Sequence, residues 1–172
     1  MSVKTVLMVI ASEDFKDEEY FILKQIFEEN SIKVITASTK NKAISTADKI
    51  QDVDMLLDDI DDIQEYCAIV FVGGPGAGEY FQNKKAHELA RDFDIEGRII
   101  AAICIAPVTL ANAGLLKEKR ATVFPSGKQE LIDNGAKYTG KHVERDANFI
   151  TADGPSATKE FAEEIVEALR IY

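Results

Sequence analysis

The sequence predicts an α/β fold, a sandwich of helices around a mainly parallel sheet, and three observations predict it. Apolar runs of strand length alternate with amphipathic helical stretches along the whole chain. The strand candidates are continuously apolar rather than alternating, as expected of strands covered on both faces. Two of them end in sharp turns, one rich in glycine and one carrying a cysteine, which marks the edge where open α/β sheets bind ligands.

Val3 to Ile10 is the first such run, a central strand. Asp17 to Glu29 follows as a helix, with Phe21, Ile22, Ile26 and Phe27 as its expected inward stripe. Lys33 to Ala37 is the second strand. From Lys40 to Asp62 the pattern is less regular, with weak strand signals at Ala43-Ile44 and at Ile50 to Val53 that suit a hairpin at the sheet edge. Cys67 to Val72 is a buried strand ending in Gly73-Gly74-Pro75-Gly76-Ala77-Gly78. Helical segments are expected at Glu79 to Phe81 and Lys84 to Phe93, a strand at Arg98 to Ile103, and a helix from Ala106 to Leu116. Gly114 and the basic residues Lys117, Lys119 and Arg120 mark the end of that helix. A short strand at Ala121 to Val123 and a helix at Lys128 to Asp133 come next. A hairpin then pairs Val143–Arg145 with Phe149–Thr151, and a final helix, Ser156 to Ile171, carries the stripe Phe161, Ile165 and Leu169.

At 172 residues, with no repeat, linker or low-complexity tract, the chain reads as one domain, residues 1–172. No apolar run reaches the roughly 18–20 residues of a membrane span. Thr5 to Ile10 is too short for a signal peptide and lacks a cleavage site, so a cytoplasmic protein is expected. The formal charge of −10 disfavours nucleic acid as a partner, because phosphate contacts need a basic face. The acidic run Asp52 to Glu65 alternates with Ile and Leu and reads as a solvated helical face. Two cysteines imply no disulfide framework, and without close Cys/His pairs no metal site is expected.

Cys104 carries the chemical argument. In Ile99-Ile100-Ala101-Ala102-Ile103-Cys104-Ile105-Ala106-Pro107 a strand stops and a helix starts at once, with Pro107 in its first turn. A nucleophile elbow needs small residues two places either side of the nucleophile, and here these are Ala102 and Ala106. A thiol beside a helix N-terminus meets unpaired N–H groups that favour the thiolate. The competing reading is a small apolar residue at a strand end; Cys67, which opens a strand, takes that reading. The glycine loop fails as a nucleotide motif, since no register gives G-x-G-x-x-G and no Walker lysine follows. Either Gly73 or Gly74 offers N–H groups to a substrate oxygen or an oxidised sulfur, or the loop is a tight turn with no ligand.

These residues resemble the ThiJ/PfpI superfamily from end to end. The resemblance is carried by Phe15-Lys16-Asp17-Glu18-Glu19, Val72-Gly73-Gly74-Pro75-Gly76, Ala102-Ile103-Cys104-Ile105-Ala106-Pro107, Leu115 to Thr122, and Thr151-Ala152-Asp153-Gly154-Pro155. It implies a flavodoxin-like three-layer sandwich, a homodimer or larger assembly, no cofactor, and a carboxylic acid bonded to the nucleophilic thiol. Glu19 matches that acid; on its residues alone it equally fits a solvated first-turn carboxylate. The pairing helps a thiolate only if Glu19 holds its proton, because two negative charges repel. A protonated Glu19 beside an ionised Cys104 is therefore expected.

Two departures narrow the function. Peptidase-like members place His after the cysteine, and this chain has Ile105. The glyoxalase and deglycase branch often carries His-Pro where this chain has Phe124-Pro125. His142-Val143-Glu144 mimics an amidotransferase His-x-Glu but sits on a hairpin strand, and His87 reads as exposed on a polar helix. The expected function is a stress-protective enzyme acting on small reactive carbonyls or glycated groups. In it Cys104 adds to the carbonyl, Glu19 shuttles the proton, and the N–H groups of Gly73, Gly74 and Ile105 steady the oxygen. The alternative is a redox-sensing or chaperone-like protein whose Cys104 is oxidised without turnover; a cysteine peptidase comes third.

Overall fold

The computed structural model describes residues 2–171. Its strands are β1 (Thr5–Val9), β2 (Glu13–Phe15), β3 (Lys33–Ser38), β4 (Lys42–Ser45), β5 (Ile50–Asp52), β6 (Met55–Leu56), β7 (Ala68–Phe71), β8 (Ile99–Ile103), β9 (Arg120–Ala121), β10 (Lys137–Tyr138), β11 (Val143–Asp146) and β12 (Phe149–Ala152). Its α-helices are α1 (Asp17–Glu29), α2 (Lys84–Ile95), α3 (Pro107–Asn112), α4 (Lys128–Asp133) and α5 (Thr158–Arg170).

Seven strands form the central sheet in the order β11-β12-β8-β7-β1-β3-β6, parallel except for the β11–β12 hairpin. Every residue of β1, β7, β8 and β12 is buried, as their unbroken apolar runs require. α1 packs on α5, and α5 on β8 and β12; α2 and α3 pack together and also reach β8, giving three layers. This is the flavodoxin-like sandwich expected from the sequence. The chain leaves β1 outward through β3 to β6, then returns to the other side of β1 as β7. A cleft lies beyond the carboxyl ends of β7 and β8, lined by Gly74 and Cys104 from the turns that follow those strands.

Several local readings change. The Ala43/Ile50 hairpin forms, as β4 and β5, but it joins β2 in a separate three-stranded sheet rather than the edge of the main one. The acidic run Asp52 to Glu65 is not a helical face: it holds the two-residue β6 and a single 3-10 turn at Leu57–Asp59. α3 stops at Asn112 rather than Leu116, because Gly114 takes φ +81° and its N–H and that of Leu115 close back on Ala111 and Leu110. The strand near Ala121 pairs with β10 in a small sheet of its own.

The inward face of α1 matters most. Its buried residues are Glu19, Tyr20, Leu23 and Phe27, whereas Ile22 is exposed, so the helix is rotated from the expected stripe. Tyr20 Oη and Thr36 Oγ1 of β3 share a buried hydrogen bond of 2.6 Å, which fixes that phase. The rotation carries the Glu19 carboxyl inward. α5 keeps its expected stripe, with Phe161, Ile165 and Leu169 buried.

Candidate active site

Cys104 follows the last residue of β8 and has φ +62°, a left-handed conformation that a residue with a side chain adopts only where its surroundings hold it. Here the holding groups are identifiable. Its N–H donates to the Ala152 carbonyl at 2.9 Å, and its carbonyl accepts from Phe124 N–H at 2.8 Å. Ala102 and Ala106, the small neighbours of the predicted elbow, are both buried. The turn presents the sulfur to a cleft of about 370 Å³ with walls from Gly74, Ile105, Phe81 and Phe124.

Close approach accounts for the glycine loop. A Cβ on Gly73 would lie 2.4 Å from Cys104 Cβ, 2.7 Å from Glu19 Oε1 and 2.8 Å from the Ile103 carbonyl. Gly74 takes φ +114°, and a Cβ there would meet the backbone of Lys16 and Asp14 at 2.5 and 2.6 Å. So the loop, the elbow and the start of α1 pack backbone to backbone. A Gly73→Ala substitution is expected to cost about 2 kcal/mol of stability through overpacking, read from denaturant midpoints. Gly78→Ala, whose Cβ would meet nothing nearer than 3.6 Å, is the matched change expected to leave the midpoint in place.

Both backbone groups of Gly73 are engaged with α1. Its carbonyl accepts from Lys16 N–H at 2.9 Å, and its N–H donates to Glu19 Oε1 at 2.9 Å. This corrects one expectation: the Gly73 N–H is taken up by Glu19 and is not free to steady an oxygen at Cys104. The N–H groups that act on the sulfur are those of Gly74 and Ile105. Glu19 itself is fully buried, so the solvated reading fails. Its Oε2 has no hydrogen-bond partner of good geometry, and the Cys104 thiol is the side chain that interacts with this carboxyl.

Burial pushes the Glu19 carboxyl up to about 7, against the Gly73 N–H and the Lys16 charge, which pull it down. Burial also pushes the Cys104 thiol up to about 11, with the Glu19 charge adding to the rise and the Gly74 and Ile105 N–H groups opposing it. The raised carboxyl agrees with expectation; the ionised resting thiol does not. The reason is local. α3 has only six residues, and the N–H groups of Ala106, Val108 and Thr109 close onto Ile103, Ile105 and Ala106. Few donors are left for the sulfur, and desolvation wins. Burial thus opposes ionisation of both members of the pair, and the charge on Glu19 adds to the opposition at the thiol.

Neither histidine joins this site. His87 is buried, contrary to expectation, and its Nε2 pairs with the Phe81 carbonyl at 2.9 Å. His142 is exposed and pairs with Asp153 at 3.0 Å, which raises its pKa, while Glu144 faces Arg120 and Lys141. That is no triad. Cys67 is buried and donates to the Thr5 carbonyl, as a packing residue would. Sequence reasoning missed Lys16, the one charged residue among those described lining the cleft, and Phe81. Lys16 sat in plain view beside the acidic turn; Phe81 had no signal beyond its nearness to the glycine loop.

Comparison with known proteins places the chain in a family and agrees with the fold. A model of the DJ-1/PfpI family matches residues 4–168. An uncharacterized protein of Methanocaldococcus jannaschii is 40% identical over 95% of this chain and 82% of its own length. A deglycase of Pyrococcus abyssi is 27% identical, covering 95% of this chain and 99% of that protein. A glutathione-independent glyoxalase of Caenorhabditis elegans is 28% identical, covering 96% and 89%. The crystal structure of a ThiJ/PfpI domain protein from Brachyspira murdochii superposes with a TM-score of 0.96 at 30% identity, covering 100% of this chain and 99% of that one.

Proposed function

The chain belongs to the DJ-1/PfpI family, and on that premise we propose that it is a cysteine-dependent enzyme acting on small reactive carbonyls, in the manner of a glyoxalase or deglycase. The observation that carries the reading is the Cys104–Glu19 pair. A strained, cleft-facing thiol sits beside a buried carboxyl raised to about 7, which is where a general base serves best at neutral pH.

The raised thiol sets the mechanism. Moving its proton to the Glu19 carboxylate spans about four pKa units, or roughly 5 kcal/mol at most. The true cost is lower, because the carboxylate charge that helps raise the thiol vanishes once Glu19 takes the proton. Proton transfer thus accompanies attack rather than preceding it: the S–C bond forms as Glu19 accepts the thiol proton. The Gly74 and Ile105 N–H groups, which favour negative charge on the sulfur, are the donors we assign to the oxyanion that develops on the attached carbon.

The redox alternative needs a low-pKa, accessible thiol. Here burial and the Glu19 charge raise the thiol, which favours the redox reading less than the carbonyl one. The peptidase reading is disfavoured by Ile105 in the place of the histidine that follows the cysteine, and no histidine among the described residues lines the cleft. The test is incubation with methylglyoxal while lactate is followed. Lactate forming faster than in protein-free buffer is the expected result; no excess over buffer, together with no turnover of a bulkier 2-oxoaldehyde, would remove the carbonyl reading.

A further inference from the structure

Two aromatic rings border Cys104, and the mechanism above uses neither. Phe124 is 41% exposed, unusual for so large an apolar side chain. It is not loosely held. Its N–H donates to the Cys104 carbonyl at 2.8 Å and its carbonyl accepts from Gly127 N–H at 2.8 Å. Phe81 is fixed through its carbonyl, which accepts from Asn112 Nδ2 at 3.0 Å and pairs with His87 Nε2 at 2.9 Å. The buried His87 thereby holds one wall of the cleft in place. Glycines lie against both rings. A Cβ on Gly154 would be 3.5 Å from Phe124 Cδ2, and one on Gly78 would be 3.6 Å from Phe81 Cε2. Ile105, Pro75 and Pro155 complete an apolar lining in which Lys16 is the one charge among the described residues.

A site for methyl-sized substrates has no use for an exposed ring at Phe124 and a half-buried one at Phe81, each anchored through its backbone. A flat apolar substituent does, because rings prefer offset or edge contacts at centroid separations of about 4.5–7 Å, and anchored rings lose little freedom when a ligand orders them. Resting on the carbonyl reading above, we infer that the cleft selects 2-oxoaldehydes bearing an aryl group, and that Phe124 is the residue that determines this preference. The sulfur bonds to the aldehyde carbon, and the aldehyde oxygen takes up the thiol proton by way of Glu19, which is left ionised. The hydrogen on that carbon then leaves as a proton to Glu19 and is returned to the neighbouring ketone carbon, while the hydroxyl proton on the former aldehyde oxygen passes to the ketone oxygen. The aldehyde carbon is thereby oxidised to a thioester as the ketone is reduced to an alcohol. Water cleaves the thioester, releasing an aryl 2-hydroxy acid and the free thiol.

The experiment compares phenylglyoxal with methylglyoxal, following mandelate and lactate, in wild type, Phe124→Ala and Phe124→Leu. The wild type is expected to favour phenylglyoxal by about tenfold or more in kcat/KM, the scale on which apolar pockets discriminate. Phe124→Ala is expected to collapse that ratio toward one, mainly through the KM for phenylglyoxal, with Phe124→Leu between. A wild-type ratio near one, or a ratio unmoved by Phe124→Ala, overturns the inference while leaving the carbonyl reading in place. Turnover of neither aldehyde overturns the carbonyl reading instead. The cleft's preference is then read by saturation-transfer NMR on Cys104→Ser with acetophenone and acetone. Contact with acetophenone that is lost in the Cys104→Ser/Phe124→Ala double variant supports the aryl site, and no contact, or contact unaltered in the double variant, overturns it.

Discussion

Replacing Cys104 with serine is expected to lower carbonyl turnover on the order of 10³-fold or more, the scale on which loss of a nucleophile is felt, with little change in stability. The two side chains differ by one atom, and the site's shape is set by backbone bonds that survive the change: Cys104 N–H to Ala152 and Cys104 carbonyl to Phe124. What changes is acidity. A carboxyl near 7 can draw a proton from a thiol near 11 as the S–C bond forms, but an alkyl hydroxyl is several units less acidic and a poorer nucleophile. Cys67→Ser is the internal comparison. Cys67 donates to the Thr5 carbonyl at 3.1 Å, a bond a hydroxyl can also make, and it lines no wall of the cleft, so turnover should persist. Equal turnover in wild type and Cys104→Ser would remove Cys104 from the chemistry.

The elbow could be read from sequence because its requirements are local. Ala102, Ala106 and Pro107 are each dictated by the turn itself, and a strand run into a helix start is visible in the residue string. The central strands were legible for a like reason: burial on both faces leaves an unbroken apolar signature. The phase of α1 was not. Phe21, Ile22, Ile26 and Phe27 make as good a stripe as Tyr20, Leu23 and Phe27, and the choice between them is made by Thr36 and Gly73, which lie far along the chain. Yet that choice decides whether Glu19 faces water or the thiol. The state of the thiol was likewise hidden, because it depends on how many N–H groups the tight turn consumes. Gly73 shows a third kind of limit. Its lack of a side chain was visible, but its donor belonged to Glu19 rather than to substrate, a matter of three-dimensional neighbours alone.

Glu19 links stability to activity, and Glu19→Gln is expected to separate them. The folded protein holds this carboxyl at about 7 against an ordinary 4.5, so the folded state binds the proton more tightly than the unfolded chain does. Its contribution is fully present below pH 4.5 and is lost as pH rises to 7, a fall of about 3 kcal/mol across that window. Glutamine keeps an oxygen that can accept from Gly73 N–H but cannot ionise. Glu19→Gln should therefore lose this pH-dependent fall, and above pH 7 it should be more stable than wild type by a comparable amount. Denaturant unfolding at pH 5, 6, 7 and 8 reads both quantities. Activity moves the other way. The wild-type rate should rise with pH through a midpoint near 7, as the carboxylate that accepts the thiol proton forms, whereas glutamine offers no base and its residual rate should lack that inflection. A variant that is more stable at pH 8 yet catalytically poor would identify the buried carboxyl as a group retained for chemistry at a cost to the fold. Identical pH profiles of stability in the two proteins would show that Glu19 titrates as an ordinary carboxyl, and would take away the base on which the carbonyl mechanism depends.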